Sequence, residues 1–132
     1  MLDLRARYRD VRAFSRELAA PLAPEDMVVQ SMPDVSPTKW HLAHTSWFFE
    51  TFVVSEALAG YEPLDPAYAV LFNSYYNTVG AQFPRPRRGL LSRPTVEQVM
   101  AYRAHVDAKM EEVFAAGVSD ALASVIEGGC HH

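Results

Sequence analysis

The sequence predicts an all-α fold, a four-helix bundle with one long crossover loop, on three observations. Apolar residues recur at three- and four-residue steps in four separate segments, the spacing of one face of a helix. Capping residues or breakers bound those segments, and few alternating runs compete for strands. Four amphipathic helices can bury one shared core by packing on one another.

The first helix carries Leu4, Tyr8, Val11, Phe14 and Leu18 on one stripe, and Pro21 and Pro24 end it. A short helical turn follows over 24–30, with Pro24 at its first position and Glu25 and Asp26 against its amino-terminal dipole. Ser36 then reads as an N-cap and Pro37 as the first residue of a second long helix, which runs to Leu58 before Gly60 closes it.

From Gly60 to Pro94 the chain holds Pro63, Pro66, Pro84, Pro86, Gly80 and Gly89 around an aromatic patch, Leu71-Phe72-Asn73-Ser74-Tyr75-Tyr76. This predicts a long connection with one short helix inside it. Connections of that length are uncommon in compact domains unless they serve a function, and the aromatic content predicts an ordered loop that lines something.

Thr95 and Gln98 form a capping-box pattern. Val96, Val99, Arg103, Val106, Met110 and Val113 follow as the stripe of the third helix, which Gly117 ends. Ser119 caps the fourth, in which Leu122, Val125 and Ile126 lead toward Gly128, Gly129 and Cys130-His131-His132. That last helix reads as cut off, and Gly128 adds about 1 kcal/mol of helix penalty relative to Ala.

Length and composition bound the function. The 132 residues make one domain, 1–132, and 49% hydrophobic with 21% charged residues supports a packed core rather than disorder. A net charge of −4 disfavours nucleic acid, whose phosphates call for a basic face. The lone Cys130 cannot form an internal disulfide, and the amino end lacks the apolar run of a signal peptide or membrane span. A cytoplasmic protein without membrane contact is expected.

Chemistry concentrates in the second helix, where Lys39-Trp40-His41-Leu42-Ala43-His44-Thr45-Ser46-Trp47-Phe48-Phe49-Glu50 sets two histidines in apolar and aromatic surroundings. At about 100° per residue His44 shares an arc with His41, Phe48, Thr51, Phe52 and Ser55, facing the interior, while Glu50 points the other way. A lone interior histidine usually satisfies its ring nitrogens with protein hydrogen bonds. Here, however, Leu122, Val125, Gly129 and His132 share a stripe of the fourth helix, which aims a second imidazole at the core. Two inward histidines on facing helices suggest a metal, although a terminal His pair also reads as the remnant of a purification tag.

Other candidates read more simply. His131 lies about 100° from His132 and falls on its flank. His105 sits off the third helix's stripe and takes no role. Cys130 reads as a packing cysteine. Arg85-Pro86-Arg87-Arg88 with Arg93 is either a solvated loop or an anion clamp for a small carboxylate. Asn73, Tyr75 and Tyr76 suit either burial or a pocket wall.

The run Pro33-Asp34-Val35-Ser36-Pro37-Thr38-Lys39-Trp40-His41-Leu42-Ala43-His44-Thr45-Ser46-Trp47-Phe48-Phe49-Glu50 follows Glu25-Asp26 and Val29-Gln30. Downstream come the aromatic patch, Val79-Gly80, the stretch from Arg85 to Thr95, Tyr102-Arg103 and Val106-Asp107. Together these resemble the amino-terminal, DinB-like domain of the ergothioneine-biosynthesis sulfoxide synthases (EgtB) over nearly the whole chain. The resemblance implies a four-helix bundle that contributes to a three-histidine site for non-haem Fe(II).

It further implies that His44, closing the Trp-x-Leu-Ala-His pattern, is the first ligand. His132 would be the second, as the first histidine of a His-Glu-x-x-His stretch whose other histidine has no counterpart here. Arg85 and Arg88 would meet the carboxylates of the thiol substrate. By resemblance the intact enzyme uses Fe(II) and dioxygen to couple cysteine or γ-glutamylcysteine sulfur to trimethylhistidine (hercynine), as an oxidoreductase. A carboxyl-terminal domain related to formylglycine-generating enzymes, absent from this chain, supplies most of the pocket and a catalytic tyrosine, so the chain alone is expected to be inactive. Two other readings stay open: a stand-alone DinB-like thiol-dependent metalloenzyme, and a non-catalytic helical interaction module.

Overall fold

Asp3 opens the first helix, α1 (Leu4–Ala19), its carboxylate accepting from the backbone N–H of Arg5 and Ala6. The structure is a computed structural model and describes residues 3–74, 76 and 80–132. The expected apolar stripe of α1 turns inward only in part. Tyr8 is buried, but Phe14 and Leu18 are 58% and 65% exposed, and Arg12 takes the inner position. Its guanidinium is bonded inside, donating through Nε to Asp107 Oδ1 at 2.7 Å and through Nη2 to Ser46 Oγ at 2.6 Å, which lets a charged residue stand at an inward position outside the apolar stripe.

The segment after α1 contains a 3₁₀ turn, Asp26–Val28, with Met27 buried. The second long helix starts at Thr38 rather than Pro37. Pro37 is itself the extended residue before α2 (Thr38–Phe49), and Ser36 does not cap it. The Ser36 hydroxyl instead accepts from Arg88 at 3.0 Å. The chain then widens into a π-helical turn, Glu50–Val54, and ends in α3 (Ser55–Ala57), one residue short of Leu58.

The crossover holds α4 (Tyr68–Leu71) and a 3₁₀ segment, Arg85–Leu90, where a single short helix was expected. Pro86 fits the opening of this second helical segment, where a missing N–H costs nothing. Helix α5 (Val96–Ala116) begins with both reciprocal bonds of the Thr95–Gln98 capping box and ends at Gly117, whose φ of 96° suits glycine. Helix α6 (Asp120–Cys130) is capped by Ser119 and stays helical through Gly128 and Gly129.

Among the described residues there is no strand. The long helices α1, α2, α5 and α6 form the bundle, with α2 packed on α5, α1 on α6, and α6 also against α2 and the π turn. Tyr8, Trp47, Phe49, Tyr102, Met110 and Ile126 fill the centre. Among the described residues no helix is long and apolar enough to cross a membrane.

Glu50, pointing away from His44 as expected, is buried rather than solvated. It accepts from Tyr102 OH at 2.8 Å and Tyr61 OH at 2.6 Å. Because Tyr61 donates its proton to Glu50, the 3.1 Å contact between Tyr61 OH and His105 Nε2 has the histidine donating. His105 thus belongs to a structural chain on the far side of α2.

Candidate metal centre

Helical spacing builds the surroundings of His44. Trp40 lies one turn before it and Trp47 one turn after, so all three side chains share a face of α2. The His44 ring stacks on Trp40 at 4.6 Å and 10°, and on Trp47 at 5.5 Å and 18°. Only 7% of the residue is exposed.

The two nitrogens of His44 have different duties. Nδ1 lies 2.6 Å from the carbonyl oxygen of Phe72, in the crossover. A carbonyl only accepts, so Nδ1 carries the proton and donates it, leaving the Nε2 lone pair free to act as an acceptor or ligand. His44 Nε2 faces His132 Nε2 at 2.7 Å. Without a metal, His132 is then the donor of that bond.

His132 follows the last turn of α6. Its ring stacks on Phe48 at 4.9 Å and 28°, and approaches Tyr76 at 6.4 Å. Burial pushes the His44 pKa down to about 4, opposed by the Phe72 carbonyl and aided by neighbouring His132, His41 and Arg88. Burial lowers that of His132 as well. Both rings are neutral near pH 7, the state in which imidazole can ligate.

This donor pair fits two positions of a transition-metal site. Two nitrogens at ordinary ligand distances on one tetrahedral ion sit roughly 3.3 Å apart, so a small outward swing of the exposed His132 ring makes the room. The carbonyl that orients His44 is the usual outer partner of a ligating histidine. Among the described residues no group of three His, Cys, Asp or Glu side chains could hold an ion.

One cavity of about 390 Å³ gathers His44, His132, Arg85 and Arg88, with Trp40, His41 and Tyr76 also in its wall. The four residues singled out from sequence are therefore neighbours, although Arg85 and Arg88 lie about forty positions from either histidine. A second cavity of about 500 Å³ shares Asp34, Arg85 and Arg88 with the first, so the arginines stand between the two.

Arg88 is more deeply built in than a loop cation. It is 2% exposed, its guanidinium lies 3.9 Å above the Trp40 ring, and it donates to Ser36 Oγ and to the carbonyl of Asn73 at 3.3 Å. Arg85 is half-buried in the cavity wall. His41 lines the same cavity while staying exposed, and burial, then Arg88 and Arg85, lower its pKa.

The remaining candidates fall elsewhere. His131 accepts through Nε2 from Arg7 at 2.7 Å, and Arg7 also pairs with Glu127, so His131 lies on the flank as its position predicts. Cys130 is half-buried, and burial raises its pKa, as suits a packing thiol. Asn73 is fully buried and ties its own loop by donating to the carbonyls of Tyr76 and Gly80. Tyr75 and Val79 lie outside the described residues.

Sequence reasoning did not anticipate the Phe72 carbonyl, because a backbone acceptor has no residue-type signature. The stacking of Trp40 and Trp47 on His44 was available in their spacing, at four residues before and three after. No curated protein matches the chain. The DinB superfamily matches residues 7–129, from the second turn of α1 to the last turn of α6, and the chain belongs to that superfamily.

Proposed function

We propose that this domain is the metal-binding part of a non-haem iron(II) sulfoxide synthase, coupling cysteine or γ-glutamylcysteine sulfur to trimethylhistidine (hercynine) in ergothioneine biosynthesis. The observation that carries the metal reading is the meeting of His44 Nε2 and His132 Nε2 at 2.7 Å, with His44 Nδ1 held by the Phe72 carbonyl. The finer reading is supported by the motif resemblance and by the placement of Arg85 and Arg88 in the cavity beside the two histidines.

In the overall reaction a thiol S–H and an imidazole C–H are lost and a C–S bond forms. One atom of dioxygen ends in the sulfoxide and the other in water, which takes both hydrogens. Iron, when bound, supplies the redox chemistry that activates dioxygen and the thiol sulfur. The protein residues do the rest: neutral His44 and His132 hold the ion, and Phe72 fixes the ring of His44. Trp40 and Trp47 shield the His44 imidazole from water and Phe48 stacks on that of His132, while Arg85 and Arg88 offer guanidinium donors to the carboxylates of the thiol. A third imidazole, and a second domain related to formylglycine-generating enzymes, complete the site. Ferrous iron and the free thiol of Cys130 suit a reducing cytoplasm.

Anaerobic titration with Fe(II) tests this reading. The chain should bind one equivalent weakly, added imidazole should tighten it by filling the third position, and His44→Ala or His132→Ala should abolish it. Tight stoichiometric binding without added imidazole contradicts the two-ligand arrangement. Metal content unchanged in His44→Ala, with stability lowered, makes His44 a core histidine of an interaction module.

A further inference from the structure

Two side chains far away in sequence, Gln30 and Lys39, pin the turn that carries the cavity arginines. Gln30 donates through Nε2 to the carbonyls of Arg85 at 2.6 Å and Val35 at 2.8 Å, and accepts through Oε1 from the backbone N–H of Gly89 at 2.7 Å. Both amide hydrogens and the amide oxygen are used. Gly89 is shaped for this contact, since a Cβ there would sit 2.8 Å from Gln30 Cβ and 2.9 Å from Oε1. At the exit of the turn the buried Lys39 ammonium donates to the Leu91 carbonyl at 2.9 Å.

The consequence is geometric. Asp34, Val35 and Ser36 form one side of the histidine cavity, and Arg85 and Arg88 form another. Gln30 bonds to the backbone of both sides at once and, together with the bond from Arg88 to the Ser36 hydroxyl, sets their separation. We propose that Gln30 is a positioning residue for ligand binding, holding the 85–90 turn against the 33–36 segment so that Arg85 and Arg88 meet an anionic ligand in register with the metal. This rests on the reading that the cavity takes a carboxylate-bearing thiol at a metal held by His44 and His132. Gln30 touches neither the metal ligands nor the ligand itself, so its effect is confined to the arginine side.

Cysteine binding to the Co(II)-loaded chain separates the possibilities. Gln30→Ala removes all three bonds, and Gly89→Ala wedges the turn away from an intact Gln30. Both should raise the Kd for cysteine roughly tenfold, the scale on which misplaced positioning groups act, while leaving Co(II) affinity unchanged. Gln30→Glu, which keeps the acceptor for Gly89 and loses both donors, should fall between them and the parent. If Arg85→Met and Arg88→Met weaken cysteine binding but the Gln30 and Gly89 variants do not, the proposal is overturned and the cavity reading stands. If Gln30→Ala loses Co(II) and cysteine affinity in parallel with its melting temperature, the residue is only structural and the proposal is again overturned. Cysteine binding indifferent to both arginines overturns the cavity reading, and the proposal with it.

Discussion

Gly129 and Phe49 touch so closely that no side chain fits between them: a Cβ on Gly129 would lie 2.7 Å from Cε1 and Cζ of the Phe49 ring, and 2.8 Å from Cε1 of Phe48. This contact sets how near α6 comes to α2, and therefore how near His132 comes to His44. Phe49 cannot retreat easily, since its ring is 1% exposed and packs edge-on against Tyr8 at 4.8 Å.

Gly129→Ala should therefore push the end of α6 outward. Overpacking of this kind costs about 1–3 kcal/mol of stability, more than the helix propensity gained. The displacement should also separate the two imidazoles and weaken Co(II) binding roughly tenfold, or ~1.4 kcal/mol. Calorimetry and metal titration on one sample check both effects, and an alanine variant with unchanged metal affinity would show that α6 reaches His44 independently of this contact.

Gly128 is the control. It is exposed, and a Cβ built there meets nothing within 4 Å. Gly128→Ala should stabilise the chain by up to about 1 kcal/mol through helix propensity alone, with metal affinity unaltered. A urea titration beside the Gly129 variant measures it, and equal effects from the two glycines would contradict the packing argument.

These neighbouring glycines mark what the sequence could and could not reveal. Periodicity aims His44 at the core because it lies on a helical stripe, whereas His132 lies beyond the end of α6 and is exposed, its ring reaching His44 from the chain that follows the helix. Capping chemistry locates the starts of α5 and α6 because Thr95 and Ser119 are followed by groups that complete the bonds. Helix pattern fails where buried polar residues replace apolar ones. Arg12 and Glu50 look like surface positions until Asp107 and Tyr102 bond to them inside. The π turn after Phe49 has no residue signature, and the need for glycine at 129 comes from a partner eighty residues away.

The buried carboxylate at the π turn gives a direct measurement of such hidden bonding. Tyr102 is fully buried and donates to Glu50 Oε1, while Tyr61, half-buried, donates to Oε2. Tyr102→Phe leaves one carboxylate oxygen without its partner, at a cost of about 1–3 kcal/mol. Tyr61→Phe should cost less, because water can reach that side. Urea unfolding of the two variants should rank them in this order, and a loss below about 0.5 kcal/mol for Tyr102→Phe, within the range of surface substitutions, would mean that Glu50 draws its stability elsewhere.

Acid should weaken the tie between α1 and α5 through Glu111. Hydrogen bonding from Arg9, opposed by burial and reinforced by Arg5, holds the Glu111 carboxyl down at about 2. Its contacts are short, Oε1 to Arg9 Nε at 2.7 Å and Oε2 to Arg5 Nη2 at 2.7 Å. In the unfolded chain the same group titrates near ~4.3. Between those two values the unfolded state binds a proton that the folded state refuses, so stability falls as pH drops through that window and is fully present above it. The carboxylate is about one third exposed, so salt should shrink the effect. The stability difference between the parent chain and Glu111→Gln should be largest above pH 5 and diminish toward pH 2, read from urea midpoints at low ionic strength. A difference that stays constant over that range would show that the two arginines do not hold Glu111 ionised in the folded state.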